Sequence, residues 1–178
     1  MEHDWARCEG ILEALLEQMK IPDAIKVALE QVKAYLPTFE YYHPEVTWSR
    51  ELLNLMESGQ VIERPASFPV YGEGFPSPGS NGFIEALALV KSAIRHQHEP
   101  QVCIDLASGA IANSIGARRY EYWARKYPSD WDISLRLDAG EENLPPMESQ
   151  YLRDPQVQKY TEDLWTLLAN IIQDRLEV

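Results

Sequence analysis

The sequence predicts an all-α fold: five or six helices in one bundle-like domain, with a long proline- and glycine-rich loop in the middle. Three observations carry that expectation. Apolar residues recur at spacings of three and four along most of the chain. Prolines and glycines stand where those periodic stretches stop. Strand signals are confined to two short pieces, Val70–Phe75, weakened by its glycines, and Ile133–Leu137.

The first helix is marked by Trp5, Cys8, Leu12, Leu15, Leu16 and Met19. Pro22 interrupts it and serves as the first residue of the next, where a missing N–H costs nothing. Ile25, Ala28, Leu29, Val32, Tyr35 and Leu36 give that second helix its apolar stripe, and Pro37 ends it. A third helix runs from Pro44 to Ser58, with Trp48, Leu52, Leu55 and Met56 inward and Gly59 as its stop. The helical period then disappears. Residues 64–82 hold four prolines and four glycines, so they form a loop joining helical halves 1–63 and 80–178.

A fourth helix restarts at Ser80 or Asn81, either of which is a suitable cap, and carries Phe83, Ile84, Leu87, Val90 and Ile94. Pro100 opens a fifth helix that runs to Tyr127, where Pro128 ends it. Residues 129–153 read as an acidic loop. Asp154 then caps a final helix with Pro155 in its first position. Its stripe is Val157, Tyr160, Leu164, Leu167, Leu168, Ile171 and Ile172.

Composition limits the function classes. A chain of 178 residues with 45% apolar and 25% charged side chains is an ordinary globular domain. A net charge of −12 opposes phosphate neutralisation over the whole protein, so nucleic acid is an unfavoured partner. The same charge disfavours anionic membrane surfaces, and no run of 18 apolar residues is present. The N-terminal stretch is acidic and amphipathic, without the basic and continuous apolar regions of a signal peptide. Two cysteines, Cys8 and Cys103, make neither a disulfide framework nor a metal cluster. The expected setting is the cytoplasm.

No motif for catalysis or cofactor binding survives inspection. Val102–Gly109 looks like the strand and glycine turn that open nucleotide-binding folds, but no further strands follow to build a sheet. One long helix, with Ala107, Ser108, Gly109, Ala110, Ala112, Gly116 and Ala117 on a small-residue face, fits better. Gly72-Glu73-Gly74 lacks the later glycine and lysine of a phosphate loop. Glu40 and His43 have the spacing of a di-iron ligand pair, but the second pair is missing. His96 and His98 close a helix, where cations meet the negative end of its dipole. Glu141-Glu142 reads as solvated. No metal and no cofactor are expected. A serine, a histidine and an acid can still meet in space without any sequence signature.

The most informative feature is how charge is sorted. Residues 1–63 carry 5 basic and 12 acidic side chains, residues 64–127 carry 7 and 5, and residues 128–178 carry 4 and 11. Arg118, Arg119, Arg125 and Lys126 fall within nine positions, interleaved with Tyr120, Tyr122 and Trp123. Helical spacing puts Arg118, Tyr122 and Arg125 on one face and Arg119, Trp123 and Lys126 on the next. One reading makes the aromatics core and the cations compensation for a helix C-terminus. The other makes Arg118, Arg119, Tyr122, Trp123, Arg125 and Lys126 a partner-binding patch, because Tyr, Trp and Arg dominate interface energetics.

The leading functional expectation is a non-catalytic protein-interaction or adaptor module using that basic, aromatic helix end. The aromatic loop residues Phe68, Tyr71 and Phe75 are further contact candidates. The partner is another protein or a second copy, since basic middle and acidic ends are complementary; the same complementarity also fits within one chain. The alternative is a small-ligand binder or enzyme with a pocket between helices under the 64–82 loop. A weaker alternative is a regulator that touches nucleic acid through the middle segment.

Overall fold

The computed structural model describes residues 2–59, 77–129 and 153–177. Seven helices occur among them: α1 (Glu2–Leu16), α2 (Ile21–Lys33), α3 (Leu36–Tyr42), α4 (Trp48–Glu57), α5 (Ser80–Arg95), α6 (Pro100–Lys126) and α7 (Pro155–Leu176). The fold is all-α. Buried apolar side chains from all seven helices join in one main core. Both expected strands, most of the 64–82 loop with Phe68, Tyr71 and Phe75, and nearly all of the 129–153 stretch lie outside the described residues.

Helix α6 is the centre of the arrangement and packs against α1, α2, α5 and α7. Its small residues explain why. A Cβ on Gly82 of α5 would sit 3.2 Å from the Asn113 carbonyl oxygen, and one on Gly109 would sit 3.3 Å from Leu89 Cδ1. Contacts of Gly79 with Ala117, Gly82 with Asn113 and Gly109 with Leu89 run in opposite chain directions, so α5 and α6 are antiparallel and in close approach. On another face, Ser114 Oγ donates to the Gln31 carbonyl at 2.6 Å and ties α6 to α2. Residues 102–109 are continuous helix, with Cys103, Ile104, Ala107 and Ser108 buried.

Several helix ends differ from expectation, each for a local reason. Pro37 does not end a helix; it sits in the first turn of α3, where a proline sacrifices no hydrogen bond. That adds a short seventh helix and buries Leu36 and Phe39. Helix α4 starts at Trp48 rather than Pro44, because the intervening residues turn, with the Val46 amide bonded to the His43 carbonyl at 3.0 Å. Neither Ser80 nor Asn81 caps α5. The cap position is Gly79, at φ 79°, with no side-chain cap. The hydroxyl of Ser80 is engaged in a buried bond to Ser77 instead. Helix α7 starts as the sequence predicts: Asp154 Oδ1 accepts from the amides of Gln156 and Val157, each at 2.9 Å.

Candidate functional site

The basic, aromatic end of α6 meets α1 and α7, and most of it is used inside the fold. Trp123 is 2% exposed and forms a second apolar cluster with Ala124 and Val157, flanked by Tyr120, Tyr122 and Tyr127. Its indole therefore cannot serve as a displayed anchor, and this corrects its place in the expected patch. Tyr122 stacks on Tyr160 of α7 at 4.3 Å between ring centroids. The Arg119 guanidinium lies over the Trp5 ring at 4.5 Å, and Trp5 in turn meets Trp165 edge-on at 5.3 Å. Lys126 Nζ is 3.3 Å from Asp154 Oδ1, so the last cation of α6 binds the carboxylate that caps α7. Tyr127 donates to the other oxygen of that carboxylate. These bonds, the Tyr127 hydroxyl foremost, hold the Asp154 carboxyl down at about 2. Arg118 is half-buried.

Arg125 differs from its neighbours. Its side chain is 60% exposed while paired with Glu121, one turn earlier on α6. Glu121 is mostly covered, and burial raises its pKa despite the opposing guanidinium. The Glu121 charge, with a bond to Tyr42, raises the pKa of Arg125. This contact brings the end of α6 to the end of α3. There Tyr41 is 75% exposed, the largest exposure among the described bulky apolar residues, and its ring meets Tyr42 edge-on at 5.2 Å. Nearby on the same helix, Glu40 grips Arg50 through two contacts at 2.7 and 2.5 Å. Sequence spacing could not place Tyr42 beside Arg125, because more than eighty residues separate them.

Behind this corner lies a buried polar chain that no motif announced. His43 Nε2 and Ser77 Oγ are 2.7 Å apart, Ser77 bonds Ser80, and Ser80 bonds the Tyr35 hydroxyl, which donates to the Pro78 carbonyl. His43, Ser77, Ser80 and Tyr35 are all buried. A serine hydroxyl at this distance from an imidazole is the geometry of a nucleophile and its base. Either hydroxyl of the Ser77–Ser80 pair can donate, and the roles of His43 and Ser77 follow the imidazole tautomer. Glu45 Oε1 lies 3.9 Å from His43 Nδ1, too far for the orienting hydrogen bond of a catalytic triad.

Other sequence candidates resolve plainly. His96 Nδ1 is 2.9 Å from Glu99 Oε1, closing the turn between α5 and α6. Burial raises the pKa of Cys103, which sits in the core as an unreactive thiol. Among the described residues, no three His, Cys, Asp or Glu side chains gather as a metal site, and no helix is long and apolar enough to cross a membrane. No family model, curated protein or solved structure matches the chain.

Proposed function

We propose that the chain is a non-catalytic protein-interaction module whose contact surface is the corner where α3 and α6 end, built on Tyr41, Tyr42 and Arg125. The observation that carries this reading is the exposure of Tyr41, whose ring meets Tyr42, the α3 partner of a solvent-facing guanidinium. A tyrosine so exposed contributes little to its own fold. Covered by a partner, it contributes about 1.5–3 kcal/mol, comparable to burying a large apolar side chain. Tyrosine and arginine are also the residues through which interfaces concentrate their energy. The partner suited to this corner is an acidic protein segment, whose carboxylates accept from the guanidinium and the tyrosine hydroxyls. The proposal keeps the cytoplasmic setting, in line with two thiols rather than a disulfide.

A photo-cross-linking residue in place of Tyr41, introduced into the producing cells, tests this. The expected result is one discrete adduct, weakened by Arg125→Glu and missing when the cross-linker replaces Lys159, exposed on α7. No adduct at position 41, or the same adducts at both positions, would remove the corner as a contact surface.

A further inference from the structure

We propose that the Tyr35–Ser80–Ser77–His43 chain is an acid-released latch, holding the first turn of α5 against the corner formed by the end of α2, α3 and the turn before α4. The inference concerns the chain's own conformational control and does not depend on the partner surface. The latch joins residues far apart in sequence: Tyr35 and His43 on one side, Ser77, Pro78 and Ser80 on the other. Around it the packing is tight. A Cβ on Gly79 would overlap the Ala117 carbonyl oxygen and lie 2.8 Å from the Tyr35 hydroxyl. The start of α5 is thus seated by backbone, hydroxyls and one imidazole, with no side-chain cap to hold it independently.

Of the linked groups, only His43 titrates near neutrality, since burial drives the Tyr35 pKa far upward. The fold holds His43 below its ordinary pKa, chiefly through burial, and Glu45 opposes this weakly. The charged groups around it are otherwise committed. Glu40 on α3 is held by Arg50 of α4, and Glu121 on α6 is held by Arg125 beside Tyr42. Among the described residues, the Ser77 hydroxyl bonds the imidazole from the start of α5, and the Phe39 ring of α3 lies 5.0 Å from it between centroids. Glu45 itself is 72% exposed, so water screens most of its attraction.

The sign follows from the direction of the shift. The unlatched state takes up a proton at the ordinary imidazole pKa near 6.5, while the latched state resists until lower pH. Latching is therefore complete above about pH 6.5 and weakens as pH falls below it. Each pH unit between the two pKa values raises the unlatched fraction by up to about tenfold. Protonation places a cation in a buried chain of neutral hydroxyls, which is the source of the loss.

Hydrogen-exchange protection factors of the full chain at pH 7.5 and pH 5.5 test the latch. The amides of Ser80, Phe83 and His43 report on it, since they bond to Ser77, Gly79 and Phe39 carbonyls. Their protection is expected to fall up to about tenfold at the lower pH, while that of Leu168 in α7 is retained. His43→Gln keeps an N–H donor and removes the titration, so its protection at these amides should be nearly independent of pH. In the wild-type chain, imidazole NMR spectra should show His43 titrating with an acid midpoint below 6.5. This reading stands even where the glutamine variant fails to fold. A normal His43 midpoint, unchanged protection at pH 5.5, or an equal loss across all helices would each overturn the latch.

Discussion

One helix carries two kinds of packing. Over its first two-thirds, α6 presents alanine, serine and glycine; α5 comes so close that a Cβ on Gly82 would press on the Asn113 carbonyl oxygen, and the Ser114 hydroxyl bonds the Gln31 carbonyl of α2. Over its last third it presents Tyr120, Tyr122, Trp123 and four cations, and α1 and α7 meet it through stacked rings and ion pairs. The first part gains from shape alone: small residues remove the distance between helices, and dispersion and burial follow. The second part keeps helices further apart and fills the space with aromatic rings whose polar edges need partners. The difference teaches where a binding surface can remain. A small-residue seam leaves nothing over, whereas a charged aromatic end leaves what the fold does not consume. Here that remainder is the exposed side of Arg125, which is paired with Glu121 and set beside Tyr42 of α3.

Six substitutions at five positions probe this contrast, measured as shifts in urea unfolding. The largest effect belongs to Trp123→Ala, expected to destabilise by about 3–5 kcal/mol, as for a buried core aromatic. A loss below about 0.5 kcal/mol, normal for a surface site, would mean the aromatic end is displayed rather than consumed. Next is Gly79→Ala. It forces a left-handed residue and an overlap with the Ala117 carbonyl, and should cost about 2–4 kcal/mol. Gly59→Ala is its control: φ is 70° there too, but nothing lies within 4 Å, so only the conformational cost of about 1–2 kcal/mol applies. Equal losses at the two glycines would show that the close approach of α5 to α6 does not constrain Gly79.

Asp154→Ala should cost about 1 kcal/mol, by removing the α7 cap. Asp154→Asn should cost less, because it keeps an acceptor for the two amides. The carboxyl's depressed pKa makes its contribution present above about 3.8 and lost as pH falls toward 2, so the Asp and Asn proteins should converge in acid. A difference between them that persists at pH 2 would contradict the assignment. The smallest effect is Gly109→Ala, within about 1 kcal/mol of either sign. The new Cβ meets only the flexible end of Leu89, while the helix gains alanine's propensity.

Much of the fold was legible because apolar spacing reports burial directly. Leu12, Leu16, Val32, Leu52, Leu87 and Leu168 are all core residues, as their spacing required. The start of α7 was legible because Asp154 and Pro155 act on amides two and three residues away. Pro37 misled because a proline can stop one helix or open the next, and only packing of Phe39 decides. Gly79 was unreadable as a cap, since its left-handed turn is set by Ala117 and Tyr35, far away in sequence. The site was less legible than the fold for the same reason. The fate of Arg119 depends on Trp5, that of Lys126 on Asp154, and that of Arg125 on Tyr42. None of those encounters leaves a periodic trace.

The proposed contact surface requires the basic end of α6 to be spent within its own chain, with the α3–α6 corner left exposed. Light scattering during size-exclusion chromatography, at low and at high salt, tests it most directly. A 20.4 kDa monomer is expected at both salt concentrations. A dimer that dissociates as salt rises would place those cations between copies and contradict it.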